Sequence, residues 1–183
     1  MVLLGFWPAL AEAQTGGVAP EWEIRELAAK LEKNAGVVGG LLAQLKPAEW
    51  VSQGAPAAYL EQVKQTRQFA SDLILQAQAL GREPGKLSVT LDTFLRLDHL
   101  HSLIESVIAG TRNYQNAALA ELMASAEGQN LAAREQLKEY TRQLAVEREK
   151  EWEIANQEAQ RCRTVLSKRP PAPAPKKAAP PKP

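Results

Sequence analysis

Three ionisable side chains share one side of a predicted helix near the middle of the chain. Asp98, His101 and Glu105 follow one another at spacings of three and four residues, which brings side chains together on a helix surface. Metal-binding helical bundles place Glu-x-x-His pairs on two helices, whereas a related Asp-x-x-His pair occurs once here. No carboxylate of another predicted helix lies on an apolar stripe, where it would complete such a site. We therefore expect His101 at the edge of the core, with its ring satisfied by carboxylates of its own helix; a metal site at the three residues is the alternative.

The only cysteine, Cys162, is the second group that could do chemistry. Arg161 and Arg163 flank it, and cationic surroundings of this kind favour a reactive thiol. Because Cys162 lies on an apolar stripe, we expect it to be a small buried core residue. The functional alternative is an intermolecular disulfide, since a single cysteine excludes an internal one.

The short motifs of common catalytic and cofactor sites are absent from the sequence. It has no phosphate-binding G-x-x-x-x-G-K-[ST], no dinucleotide-binding G-x-G-x-x-G and no H-E-x-x-H zinc motif. It also lacks C-x-x-C-H, which excludes a covalently attached haem. With two histidines and one cysteine, few catalytic constellations can be assembled. We therefore expect a protein that is not an enzyme and that has no cofactor.

Apolar residues recur with the period of a helix through most of the chain. Good helix formers such as Ala, Leu, Glu and Gln are frequent, and aromatic residues make up 5% of the sequence. The widest apolar face lies in residues 88–108 and must be covered by other helices. Stripes in residues 20–45 and 57–80 provide two of them, and we expect Trp50 to be a hydrophobic plug over the end of the bundle. The central face consists of Thr93, Leu97, Leu100, His101, Ile104, Val107 and Ile108.

Glycines mark the places where these helices are expected to bend or end. Gly36, Gly39 and Gly40 fall inside the first helix, where we expect a fray, a kink or the close approach of another helix. Gly110 is expected to end the central helix. Asn116 is then placed to cap the next one.

A long charged helix is predicted over residues 127–168. At 1.5 Å per residue it is about 63 Å long, whereas a partner of 25 residues is about 38 Å long. Its end must therefore protrude, kink near Gly128 or pair with another chain. We take its mixed charges as a solvated face, with a short coiled-coil dimer through residues 152–166 as the alternative. Its stripe consists of Leu131, Leu137, Leu144, Trp152, Ala155, Ala159, Cys162 and Leu166.

The two ends of the chain differ in character from its middle. Residues 1–19 begin with an apolar run, and Ala9, Ala11 and Ala13 form small-x-small sites, a pattern typical of a signal peptide with a flexible leader, although no Lys or Arg precedes the run. Residues 169–183 hold seven of the 12 prolines and no large apolar side chain, which predicts a disordered Pro/Lys-rich tail. The formal net charge of +1 therefore combines a mildly acidic body with a basic tail.

Together these features predict an all-α protein. Residues 20–168 form an antiparallel bundle of about four helices, with a long, partly protruding C-terminal helix. No apolar run approaches the roughly 18 residues that span a bilayer, so we expect the protein not to be transmembrane. The signal-peptide pattern of residues 1–19 predicts a periplasmic or secreted protein.

The expected function is a non-enzymatic binding or structural role in the bacterial cell envelope. The expected partner is a protein or another envelope component, with a homodimer through the C-terminal helix as one form of it, and no specific nucleic acid is expected. Two alternatives remain: a metal-binding or redox bundle centred on His101, and a peripheral binder of anionic surfaces through the basic tail.

Overall fold

The computed structural model of the chain describes residues 18–168, and the helical prediction is confirmed there. These residues form five α-helices and no strand. The predicted signal peptide up to residue 17 and the predicted tail from residue 169 lie outside the described residues. The helices are α1 Glu21–Ala43, α2 Pro47–Ser52, α3 Ala58–Arg82, α4 Leu87–Tyr114 and α5 Ala117–Lys168.

The chain divides into two compact units, with the boundary after Ala145. The first unit holds α1 to α4 and the part of α5 up to Ala145, packed around one hydrophobic core. The apolar stripes predicted for α1, α3 and α4 are buried, apart from the half-buried Tyr59 and His101. Among the described residues, no helix is both long enough and apolar enough to cross a membrane.

An aromatic cluster fills one end of this core. Trp50 of α2 is fully buried, which confirms its role as a plug. Its ring meets that of Tyr59 edge-on, with the centroids 5.6 Å apart, and Tyr59 meets Tyr114 at 6.1 Å. Gly110 lies beneath the cluster, and a Cβ atom there would come within 2.7 Å of the Tyr59 ring. Gly110 is therefore the residue that lets the rings pack against the α4 backbone.

The side chain of Gln115 ties the turn after α4 to the turn after α1. Its Oε1 atom accepts hydrogen bonds from Trp50 Nε1 and from the Lys46 backbone N–H, both at 3.0 Å. Its Nε2 atom donates to the Gln44 carbonyl at 2.9 Å. The buried indole N–H of Trp50 thus has a hydrogen-bond acceptor, and the Gln115 side chain joins the two turns at this end of the bundle.

One predicted helix end and one predicted helix start are wrong, and one predicted cap is confirmed. α4 does not end at Gly110 but continues to Tyr114, because Gly110 serves packing rather than termination. The long helix predicted over residues 127–168 already begins at Ala117 and is helical through Gly128. Asn116 caps α5 as predicted, since its Oδ1 atom accepts hydrogen bonds from two backbone N–H groups of the first turn, the nearer at 2.8 Å.

The three glycines of α1 do not mark a close helix approach. The helix is continuous through Gly36, Gly39 and Gly40, and a Cβ atom at any of them would meet nothing within 4 Å. Their cost is therefore the loss of helix propensity alone.

Four threonines lie in the core with fully buried side chains. Each hydroxyl donates to the carbonyl four residues earlier in its own helix or turn, at 2.7 to 3.1 Å. Their polar atoms therefore need no partner from another helix. The four are Thr66, Thr90, Thr93 and Thr111.

Gly110→Ala and Gly36→Ala are expected to change stability in opposite directions. The added methyl group at position 110 must displace the Tyr59 ring, and overpacking of this kind costs about 1–3 kcal/mol. The same methyl at position 36 enters open space and removes a glycine from a helix, which stabilises by about 0.5–1 kcal/mol. Urea unfolding followed by circular dichroism measures both changes, and equal stabilisation by the two substitutions would contradict the close contact at Gly110.

Candidate functional site

The structure separates the three side chains that the sequence predicts to share a site. The Asp98 carboxylate pairs with Arg134 of α5, whose Nη2 atom lies 2.7 Å from Oδ1. The His101 ring pairs with Glu127 of α5, with 2.9 Å between Nδ1 and Oε1. The carboxylate of Glu105 is 3.9 Å from His101 Nε2, and its side chain is 71% exposed. In the described part of the chain, no group of three His, Cys, Asp or Glu side chains is placed to hold a metal ion.

Glu127 belongs to a buried chain of hydrogen bonds that joins three helices. One carboxylate oxygen faces His101 of α4, and the other accepts a hydrogen bond from Asn130 Nδ2 at 3.0 Å. Asn130 Oδ1 accepts in turn from Asn34 Nδ2 of α1 at 2.6 Å, and the same Nδ2 donates to the Ala126 carbonyl at 3.0 Å. Glu127 is 5% and Asn130 1% exposed. We name these four side chains (Asn34, His101, Glu127 and Asn130) the polar chain.

The expectation that no carboxylate of another helix reaches the core is therefore wrong. The nearer carboxylate to the His101 ring is that of Glu127 on α5, while Glu105 of its own helix lies 3.9 Å from Nε2. Glu127 and Asn130 lie on the buried face of α5 between Met123 and Leu137. The stripe chosen from the sequence ran through Leu131, which is exposed. The available signal was spacing, since positions 123, 127, 130 and 137 keep the steps of a helical face although two of them are polar.

The polar chain fixes the orientation of the His101 ring. An ionised Glu127 carboxylate can only accept, so Nδ1 carries the proton and donates it to Oε1, and this tautomer is assigned from the hydrogen-bond partner. Carboxylates orient metal-bound and catalytic histidines in the same way. On the other side of the ring, the carboxylate of the exposed Glu105 side chain lies 3.9 Å from Nε2. The arrangement therefore works as an interhelical cross-link between α4 and α5.

A groove of about 520 Å³ runs between α1 and the first part of α5. Its floor includes Tyr140, whose hydroxyl donates to the Pro84 carbonyl at 3.0 Å. Four carboxylates and one lysine line its sides. These charged residues are Glu23, Glu26, Lys30, Glu135 and Glu139.

One of these carboxylates, that of Glu139, is held by neighbours on its own helix. Arg142 Nη2 donates to it at 2.6 Å and Gln143 Nε2 at 2.9 Å. The hydrogen bond from Arg142, followed by that from Gln143, lowers the pKa of Glu139 from 4.5 to about 2. The carboxylate therefore keeps its negative charge at the groove far into acidic solution.

The second unit begins at Val146, and its described residues are helical throughout. Cys162 is a free, exposed thiol, so its predicted burial is wrong. Large apolar side chains of this segment are exposed as well: Trp152 is 68%, Ile154 59%, Val165 69% and Leu166 66% accessible. The stripe predicted for the long helix is thus buried at Leu137 and Leu144 and exposed from Trp152 onward. We name residues 146–168 the C-terminal segment.

Glu127→Ala is expected to destabilise the protein by about 1–3 kcal/mol, because it leaves buried donors of His101 and Asn130 without an acceptor. Glu105→Ala is the matched control, since it removes an exposed carboxylate near the same ring and is expected to change stability by less than about 0.5 kcal/mol. Urea unfolding of both variants at neutral pH measures the difference. A larger loss for Glu105→Ala would show that His101 depends on its own helix after all.

The low pKa of Glu139 predicts a specific pH dependence. A carboxyl group whose folded pKa lies below its unfolded value stabilises the fold fully above about pH 4.5, and this contribution is lost as the pH falls through about 2. Carbon-detected NMR titration of the glutamate carboxyls is expected to show Glu139 titrating well below the exposed glutamates. Arg142→Ala is expected to return its pKa toward 4.5, and an unchanged titration in that variant would contradict the assigned cause.

Comparison of the chain with the sequence profiles of protein families, with curated proteins and with solved structures found no match.

Proposed function

We propose that this chain is a non-enzymatic, exported protein with a binding role in the bacterial cell envelope, and that the C-terminal segment is its binding element. The observation that carries the proposal is the exposure of Trp152, Ile154, Val165 and Leu166 on one short stretch of helix. Scattered exposed apolar residues are normal on protein surfaces, but several large ones on one element mark interaction sites.

The stability of a lone helix supports the same proposal. Isolated helices gain little stability in water, and most helical stability in proteins comes from packing an apolar face. Every described side chain from Glu147 to Ser167 is exposed, so the C-terminal segment has its apolar side uncovered. A partner that covers this side would supply the packing energy that the segment lacks.

Export is proposed from the sequence of residues 1–19, with its apolar run and its small-x-small sites. A thiol at the surface, as Cys162 is, is also suited to an intermolecular disulfide in an oxidising compartment. A partner in the envelope fits both features.

The geometry favours a metal or redox site less than a binding role. A metal or redox site at His101 would need Asp98 and Glu105 beside it, but Asp98 pairs with Arg134 and the Nδ1 side of the ring is occupied by Glu127. Binding to anionic surfaces through the tail rests on residues 169–183, which lie outside the described residues. Both stay predictions from the sequence.

The proposal predicts that binding in the envelope depends on the C-terminal segment. Chemically cross-linked complexes of the tagged chain, purified from a periplasmic extract of bacteria that express it, are expected to lose their partner in a Trp152→Ala/Leu166→Ala variant. Leu122→Ala is the matched control, because Leu122 is 59% exposed on α5 but lies in the first unit.

The recovered chain is expected to begin after Ala11 or Ala13, as measured by its intact mass. Complexes that persist unchanged in the double variant would contradict the role of the segment. A full-length chain confined to the cytosol would contradict export.

A further inference from the structure

The apolar stripe of the C-terminal segment has the spacing of a two-stranded coiled coil. Trp152, Ala155, Ala159, Cys162 and Leu166 follow one another at alternating steps of three and four residues, which keep one face directed at a partner helix. All five are exposed. Two of them are alanines near the middle of the stripe, and small residues there let two helix backbones approach closely.

The charges of the segment are divided between its two halves. Residues 146–158 carry five glutamates against Arg148 and Lys150, so this half is acidic. Residues 159–168 carry Arg161, Arg163 and Lys168 and no acidic side chain. A helix with one acidic and one basic half is complementary to a copy of itself that runs in the opposite direction.

We propose that the C-terminal segment pairs with the same segment of a second copy of this chain in antiparallel orientation, about a two-fold axis near Gln157. This inference rests on the proposed function, because it concerns the same segment. It deepens that function by naming the partner that covers the exposed apolar side of the segment. A two-fold axis makes the interface isologous, so each favourable contact occurs twice.

The charge pattern and the four stripe residues from Trp152 to Cys162 agree on one register, in which Leu166 lies opposite Arg148 of the partner subunit. With the axis near Gln157, Ala155 lies opposite Ala159 of the partner subunit, and Trp152 lies opposite Cys162 of the partner subunit. The tryptophan ring then covers a small side chain, and the smallest residues meet at the centre. Glu149 comes beside Arg163 of the partner subunit, which adds an ion pair at each end of the contact.

A parallel pair would place like halves together. The two acidic halves would lie side by side and so would the two basic halves, although Glu158 would come near Arg163 of the partner subunit. The two Cys162 thiols would face each other in that arrangement. In the antiparallel pair they are ten residues apart along the axis, about 15 Å at 1.5 Å per residue, which is beyond the reach of a disulfide.

The experiment uses the full chain alone, purified without any envelope component. Sedimentation equilibrium of the wild-type protein is expected to show a reversible dimer. Trp152→Ala is expected to raise its dissociation constant by about tenfold or more, because buried tryptophans dominate interface energies. Leu122→Ala serves again as the control and is expected to leave the dissociation constant unchanged. Circular dichroism of each variant shows whether the helices are retained.

Disulfide cross-linking then determines the orientation. One variant carries Ala155→Cys and the other Ala159→Cys, both with Cys162→Ser, and each is oxidised alone and in an equal mixture with the other. The antiparallel pair predicts a covalent dimer in the mixture and little in either variant alone. A parallel pair predicts a covalent dimer in each variant alone, and that result would overturn the orientation.

Failure of this inference can be told apart from failure of the proposed function. A wild-type chain that stays monomeric at all concentrations would overturn pairing between copies, while loss of envelope complexes in the Trp152→Ala/Leu166→Ala variant would still support binding to another partner. A dimer that survives Trp152→Ala unchanged would place the contact elsewhere and would also overturn the inference.

Discussion

A carboxylate buried between helices has to be stabilised by the protein, because water cannot solvate it there. Glu127 is in this position, and it is satisfied by the His101 ring on one oxygen and by Asn130 on the other. Through Asn34 the same hydrogen bonds reach α1. Three helices of the first unit must therefore keep their relative positions for the Glu127 carboxylate to keep its partners. The surrounding apolar packing stabilises this arrangement, and the polar chain specifies it.

The two units differ in what holds their helices in place. In the first, apolar stripes, the aromatic cluster above Gly110 and the polar chain all contribute tertiary contacts. In the C-terminal segment, side-chain hydrogen bonds and ion pairs join residues three or four positions apart, such as Arg148 with Glu151. Local pairs of this kind contribute only about 0.2–0.5 kcal/mol each. Because of this contrast, we propose the segment and not the bundle as the binding element.

The helices, the apolar stripes of α1, α3 and α4 and the plug at Trp50 could be predicted, because periodic apolar spacing and proline or glycine breaks are local signals. The site could not, because it depends on which polar residues a helix buries. Glu127 and Asn130 look like solvated residues until their positions on the α5 face are known, and the partner of Asp98 is Arg134, 36 positions along the chain. Gly110 failed as a signal for a related reason, since glycine ends helices in some contexts and admits a neighbouring ring in others.

Each of the four buried threonine hydroxyls donates backward along its own helix or turn, and that of Thr111 also lies 3.9 Å from Met123 Sδ of α5. A slip of α5 by one turn, about 5.4 Å, would leave each of those hydroxyls its bond within its own helix or turn. It would, however, break the contacts of Glu127, Asn130 and Arg134 at the same time. The polar contacts of these three residues thus exclude misaligned bundles that apolar packing alone would tolerate.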